Sequence, residues 1–421
     1  MDRLEQEVAT FPVAVNGRIT TAYIFTTLSQ RGGATMIRTL KIRLLPTPKQ
    51  EQAFWKHIGA ARFIYNYMLA EQKRRYEAGE KRMSAFDMNK ALTPLKKRED
   101  YAWLNEVSNR TLQRACADLA EAYSNFFAHR AGFPRFKSRK RSKPSFPVKD
   151  GVGALWFSKT HVQIQKIGKV AYQTNYDIPL GRECKFSNPR VQFVKASGKW
   201  ILTVCVKRES QAPVLTDKPM GIDVGVKDLA IVAFGDEQFV FHNINKSKRV
   251  RTLERKQRHI QRAISRKYRT NGSYEKTRQI QKYERILRDI QFRLTNIRSD
   301  YTHKTTRALV SMLPQKVVME DLNVSGMMKN RHLAKAIKDQ CLYEFIRQMQ
   351  YKCEERGIEF VQVSRFYPSS KTCSSCGSIK RDLKLSERTF VCPECGLRID
   401  RDYNAALNLM RYADQETRAA A

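Results

Sequence analysis

No apolar run in this sequence approaches the roughly 18 to 20 residues that a membrane span needs, which argues against a place in the bilayer. Acids are scarce: 41 Asp and Glu stand against 78 Lys and Arg, and the formal charge of +37 far exceeds what solubility asks of a surface. A surplus of that size implies a polyanionic partner. Nucleic acid and an anionic membrane surface both qualify, and the missing span disfavours the second. The first 35 residues carry Asp2, Glu5 and Glu7 and no basic segment ahead of a compact apolar stretch, so they do not read as a signal peptide. A cytoplasmic, nucleoid-associated protein is expected. No internal repeat is evident, and no secreted disulfide framework either. Of nine cysteines, four fall in two CxxC pairs. The other five, Cys116, Cys184, Cys205, Cys341 and Cys353, are scattered and read as structural thiols in a reducing compartment.

What is present is enough chain, 421 residues, for two or three compact units. Met36 to Leu45 alternates like a strand, which Pro46 and Pro48 end. Residues 1–35 ahead of it are expected to be a disordered N-terminal extension, either dispensable or read from an upstream start. Phe54, Ile58, Ala61, Tyr65 and Met68 recur at helical spacing between Lys49 and Tyr76. Ser108 reads as the N-cap of a second helix carrying Leu112, Cys116, Leu119, Tyr123 and Phe126. Residues 49–131 are therefore a helical insertion.

After it, Arg135, Lys137, Arg139, Lys140, Arg141 and Lys143 interleave with Phe133, Phe136 and Phe146. Six cations this close repel one another unless nucleic acid neutralises them; a solvated linker is the alternative. Strand-like stretches then return, ending in Lys199 to Lys207, so a small β domain is split by helices.

Met220 to Val226, Leu229 to Phe234 and Gln238 to Phe241 read as three strands. A helical hairpin follows, turned at Asn271-Gly272, with outer faces dense in Lys and Arg that also suit a solvated coiled-coil face. Lys316 to Glu320 and Ile358 to Val363 complete the strands, with a helix from Asp339 to Arg356 between them.

Asp223, in Gly221-Ile222-Asp223-Val224-Gly225, is an acid in an otherwise apolar strand, which is costly unless it is paired or binds a metal. Glu320 repeats the situation at the end of Val317-Val318-Met319. A third acid comes from Asp400 or Asp402, just ahead of an apolar helix; one of the two is expected to cap that helix, leaving the other for a metal. Separated carboxylates on two strands and a helix suggest an RNase H-like α/β core. Such oxygen ligands suit Mg²⁺, and two ions about 3.5 to 4 Å apart can bracket the attacking and leaving oxygens of a phosphodiester.

Cys373-x-x-Cys376 and Cys392-x-x-Cys395 are each followed by a glycine, and their spacing matches a closed four-thiolate site. Zn²⁺ there would supply folding energy to a segment with little core of its own, and would keep no open position for catalysis.

The Asp223 motif, Met319-Glu320-Asp321-Leu322, Ser369-Ser370-Lys371-Thr372-Cys373 with the rest of its CxxCG, the second Cys pair and Asp402-Tyr403-Asn404-Ala405-Ala406 together closely resemble TnpB, the transposon-encoded relatives of type V CRISPR effector nucleases. Gly132-Phe133-Pro134-Arg135-Phe136-Lys137-Ser138 resembles a further motif of that family. The resemblance spans Met36 to Tyr412. It implies a multidomain α/β protein. A wedge-like β-barrel (36–48 and 132–215) is interrupted by a helical recognition domain (49–131). A RuvC-like nuclease domain (216–369 and 400–415) is interrupted by a zinc-finger, target-binding insert (370–399), and a short tail (416–421) ends the chain. It also implies a guide RNA from the transposon end, a double-stranded DNA target beside a short motif, and Asp223, Glu320 and Asp402 as the catalytic, Mg²⁺-binding acids. The rivals are an RNA-guided repressor that does not cut, a guide-independent resolvase or transposase, and a compact CRISPR effector.

Overall fold

The computed structural model describes residues 9–15, 18–24, 34–150, 153–174, 176–182, 184–210, 213–272, 275–384 and 386–419. Two strands, β1 (Ala9–Val15) and β2 (Arg18–Ile24), pair as an antiparallel hairpin ahead of β3 (Ala34–Leu45). The segment expected to be a disordered extension thus carries two strands, while its residues 1–8, 16–17 and 25–33 lie outside the described residues. The chain divides into two units, Thr35–Arg208 and Met1–Ala34 with Glu209–Ala421.

In the first of these, β3 buries Leu40, Ile42 and Leu44 and exposes Lys41, the period of two that a half-buried strand requires. Pro46 ends it, and Thr47 opens helix α1 (Pro48–Glu77) with a capping box to Gln50; Pro48 takes the first turn, where its missing N–H costs nothing. Helix α1 serves two cores. Phe54 and Ile58 pack into the sheet, whereas Ile64, Met68 and Leu69 pack against α2 (Ala85–Lys97) and α3 (Asn109–Phe127).

Ser108 does occupy the N-cap of α3, but its hydroxyl reaches Gln165 Oε1 at 3.5 Å instead of a helix N–H. Its own N–H donates to Nε2 of buried His57 at 3.2 Å. Strands β4 (Ser145–Pro147), β5 (Leu155–Phe157), β6 (His161–Ile164), β7 (Gly168–Gln173), β8 (Phe186–Val194) and β9 (Lys199–Ser210) complete a seven-stranded sheet in the order β4-β8-β9-β3-β7-β6-β5. The strand before the helices and those after it therefore share one sheet.

The other unit, which holds β1 and β2, continues with β10 (Met220–Val224), β11 (Asp228–Phe234) and β12 (Glu237–His242), an antiparallel meander. Helices α4 (Lys248–Asn271) and α5 (Arg278–Ser311) form the expected hairpin, and Gly272 closes α4 in the left-handed region at φ +59°. Strand β13 (Lys316–Glu320) follows, then α6 (Val324–Met327), α7 (Ala334–Gln340) and α8 (Leu342–Glu354). The single helix expected from Asp339 is broken at Cys341, whose φ of +57° interrupts the helical path.

Strand β14 (Glu359–Val363) precedes a small hairpin of β15 (Thr389–Val391) and β16 (Arg398–Asp400), and α9 (Arg401–Ala419) ends the chain, with 420–421 outside the described residues. Sheet order is β14-β13-β10-β11-β12-β1-β2, with β10, β13 and β14 mutually parallel neighbours. On one face, Met220, Ile222 and Val224 pack with Leu309 of α5 and Phe345 and Met349 of α8. The opposite face takes α9, through Ala406 against Ile231 and Ala233 and Leu409 against Val318 and Val363.

Candidate nuclease and metal-binding sites

Side chains two apart on a strand share a face. Asp223 therefore lies on the side of β10 that carries Gly221, and at Gly221 the backbone of α9 lies directly against the strand: a Cβ there would sit 2.0 Å from the Ala406 carbonyl oxygen and 2.4 Å from the Met410 nitrogen. No other residue type permits that approach. Glu320 lies on the same side of β13 as Val318, which also meets α9. The parallel register Gly221↔Val318 and Ile222↔Met319 carries on to put Asp223 and Glu320 at neighbouring strand ends. This is the carboxyl end of parallel strands, where open α/β sheets place their ligands.

Burial pushes the Asp223 carboxyl up to about 8, and the charges of Glu320 and Asp402 push in the same direction, with Arg401 opposing them. Burial also raises Glu320, and the Ser369 hydroxyl, which donates to Glu320 Oε1, holds it back in part. The carboxylate oxygens of Asp223, Glu320 and Asp402 do not all lie within 4.8 Å of one another, so the acids share a field without closing into a ligand cage; neighbouring like charges of that kind are what a divalent cation relieves.

The two aspartates have different surroundings. Asp400 Oδ1 accepts the N–H groups of Asp402 at 2.9 Å and Tyr403 at 3.1 Å, which makes it the N-cap of α9. Asp402 is left with its carboxylate on cations. Arg401 Nη2 lies 3.0 Å from Oδ1, and Arg388 of the small hairpin lies 3.8 Å from Oδ2.

The four cysteines make a second site. All four sulfurs lie within 4.8 Å of one another, the only group of three or more His, Cys, Asp or Glu ligand atoms this close among the described residues. Cys373 and Cys395 are 3.6 Å apart, as are Cys376 and Cys392, close to the edge of about 3.8 Å of a tetrahedron with 2.3 Å metal–sulfur bonds and far from a disulfide. The two CxxCG turns repeat one geometry. Cys373 N–H donates to Ser378 and Cys392 N–H to Leu397; Gly377 and Gly396 then bond back to the carbonyls of Cys373 and Cys392. Both glycines take φ above +70°. A backbone donor from Cys395, then the Ser378 hydroxyl, draws the Cys392 thiol down to about 6, toward the thiolate that metals bind, whereas Cys395, although a backbone donor at Leu397 lowers it, is pushed up to about 11 by desolvation and the neighbouring sulfurs. Four sulfur ligands that can hold a metal are therefore in place.

Buried amides tie this site to the first. Asn404 of α9 accepts from Ser374 N–H at 3.0 Å and donates to the Thr372 carbonyl at 2.7 Å, and Asn408, one turn on, donates to Ser369 and Thr372 carbonyls. The asparagine beside Asp402 thus anchors the first cysteine turn.

Of the basic segment, Arg135, Arg139, Lys140, Arg141 and Lys143 are exposed. Lys137 is not presented with them. Its ammonium lies 3.6 Å from the centre of the Tyr65 ring, burial draws its pKa down, and its backbone exchanges hydrogen bonds with the Asn66 side chain. Ser369, Arg388, Arg401, Asn404 and Asn408 were not singled out from sequence as members of the sites. Ser369 and Asn404 stand within the quoted motifs and Arg401 is the neighbour of Asp402 in sequence, while Arg388 reaches Asp402 only through the fold.

Family models match residues 203–331 (OrfB_IS605, described as "Probable transposase"), 343–409 ("Cas12f1-like, TNB domain") and 36–81 ("Helix-turn-helix domain"). That last stretch folds here as β3 and the one helix α1. A protein of Streptomyces pristinaespiralis named an RNA-guided DNA endonuclease is 33% identical over 379 residues, 89% of this chain and 88% of its own. The chain belongs to the TnpB-like family. An Escherichia coli K12 member, also named an RNA-guided DNA endonuclease, is 31% identical over 89% of this chain and 92% of its own. The TnpB-like fold extends to a cryo-EM structure of a Cas12f1–sgRNA–target DNA complex, which aligns over 89% of this chain and 99% of its own with a TM-score of 0.55 at 15% identity. No helix among the described residues is long and apolar enough to cross a membrane.

Proposed function

We propose that this chain is an RNA-guided, Mg²⁺-dependent DNA endonuclease. It would bind a guide RNA derived from a transposon end and cut complementary double-stranded DNA beside a short target-adjacent motif. The observation that carries this reading is the set of three carboxylates: Asp223 and Glu320 at neighbouring parallel strand ends, and Asp402 at the start of α9, the helix packed against both strands, in a chain with endonuclease-named relatives. The order third-second-first-fourth-fifth of β12-β11-β10-β13-β14 supports an RNase H-like, RuvC-type core.

An all-oxygen donor set fits Mg²⁺, and two such ions held by Asp223, Glu320 and Asp402 would activate water and stabilise the leaving oxygen. The sheet holds the first two carboxylates in register, Ser369 orients Glu320, and Asp400 satisfies the helix start so that Asp402 does not have to. The all-sulfur set fits structural Zn²⁺ within residues 370–399. In our reading 36–48 and 132–215 form the wedge domain, 49–131 the recognition domain, and 216–369 with 400–415 the RuvC domain. The exposed cations Arg135, Arg139, Lys140, Arg141 and Lys143 would hold nucleic-acid phosphates, while base pairing reads the sequence. The charge of +37 suits work at the nucleoid in the cytoplasm.

The test is cleavage of a plasmid carrying a matched target, with guide RNA obtained by sequencing the RNA that co-purifies. Linear product should require guide, Mg²⁺ and Asp223 together. Cutting that persists without guide, or in Asp223→Ala, overturns the proposal.

A further inference from the structure

Within the unit Thr35–Arg208, a cleft of about 650 Å³ opens between α1, α3 and the sheet edge at β4 and β8. Its walls carry six cations and one acid, Asp118. Arg114 at 2.8 Å and Arg190 at 3.6 Å already match that acid. Arg62, Arg139 and Lys143 therefore line the cleft with no carboxylate partner among the described residues.

The rim is preformed. Lys195 Nζ donates to the carbonyls of Arg139, Lys140 and Ser142 at 2.8 to 3.3 Å, which fixes the basic segment as a wall. An aromatic face stands in the same cleft: Trp55, 37% exposed, is backed by Phe193 and Trp200, each with its ring centre 5.1 Å away. An indole left part-exposed amid cations, on a rigid aromatic base, is the arrangement that stacks a nucleobase while cations take the flanking phosphates. Phosphate binding alone has no use for the indole, and a paired base inside a duplex cannot reach it.

We propose that this cleft holds one unpaired nucleotide, its base on Trp55 and its phosphates on Arg62, Arg139 and Lys143. The volume suits it, since sites for small ligands run from about 300 to 1,000 Å³. The proposal rests on the reading of the chain as a nucleic-acid-guided nuclease and gives that reading a base-contacting subsite.

The experiment uses the full-length protein with short single strands, RNA and DNA in separate arms, each carrying one 5-iodouracil for photocrosslinking and peptide mapping. Crosslinking at Trp55, competed by unlabelled single strand and not by duplex, is expected. Reaction in the RNA arm alone identifies the guide as the source, in the DNA arm alone an opened target strand, and in both arms either strand.

In parallel, an otherwise abasic strand bearing one base should bind the wild type about 5- to 150-fold more tightly than a fully abasic strand, the worth of one stacked base. Trp55→Phe should keep that difference and Trp55→Ala should lose it. Crosslinks confined to other residues, or a base effect undiminished in a folded Trp55→Ala, overturn the proposal. Guided plasmid cleavage is scored separately: cutting without a Trp55 crosslink sinks the cleft alone, and a crosslink without cutting sinks the nuclease reading alone.

Discussion

Asp223→Asn should make the metal-free protein more stable at neutral pH, and the size of the gain follows from the site. The Asp223 carboxyl is lifted from 3.8 to about 8, first by burial and then by Glu320 and Asp402. Its proton is therefore held more tightly folded than unfolded. Below the unfolded value both states are protonated and nothing is lost; stability then falls as pH rises through the window between the two values and levels off above the folded one. At one pKa unit per 1.36 kcal/mol, the loss is about 4 kcal/mol at pH 7 and about 2 kcal/mol at pH 5.

Asparagine keeps the shape and removes the charge. At pH 7 it should recover up to about 4 kcal/mol, which slows amide exchange in β10 and β13 by up to about 1,000-fold where those strands exchange through unfolding of their unit. Hydrogen exchange read by mass spectrometry in chelator is the assay. Tryptophan fluorescence is the internal control, because Trp55, Trp103, Trp156 and Trp200 all lie in the other unit. Saturating Mg²⁺ should protect the wild type and not the variant, closing the gap. Equal protection of the two proteins at pH 7, or a gap of the same size at pH 5, would refute the reasoning.

Three further outcomes follow from the same geometry. Cys392→Ser should lower bound zinc from one per chain and expose residues 370–399 to protease, both read on purified protein by metal analysis and limited proteolysis; zinc unchanged at one per chain contradicts the four-sulfur site. Asp402→Ala should abolish guided cleavage with guide and target binding retained, whereas Asp400→Ala should lose the α9 cap, about 1 kcal/mol, and keep substantial cutting; the reverse ranking in a plasmid assay across Mg²⁺ concentrations reassigns the two residues. Gly221→Ala forces a Cβ onto the backbone of α9 and should cost at least about 1 to 3 kcal/mol along with cleavage, measured by thermal melting and plasmid cutting; a fully active, equally stable variant shows that α9 does not lie so close.

The elements that sequence made legible are those in which one local rule decides the outcome. Alternation in Met36 to Leu45, an acid closing an apolar strand at Glu320, the glycine turn at Asn271-Gly272 and the two CxxCG repeats each carry their physics within a few residues, and each appears where the pattern places it. Ser84 with Asp87 is as local a signal, a reciprocal cap that opens α2, but it is weaker in sequence than the apolar stripe of α1. Other features were not legible because distant segments decide them. Cys341 turns left-handed without a glycine or proline to announce it, because Leu342 and Phe345 on one side and Ile337 on the other must all enter the core beside β10. Lys137 looks like its basic neighbours until Tyr65 and Asn66, some seventy positions earlier, draw it inward. β1 and β2 join the sheet only through β12, more than two hundred positions on, so nothing near residue 9 marks them as part of it. The choice between Asp400 and Asp402 shows where that boundary runs. Both aspartates satisfy the local rule for a helix start, so local chemistry leaves them equal. Only the hydrogen bonds of one, and the placing of the other by the packing of α9 against β10, β11 and β13, tell them apart.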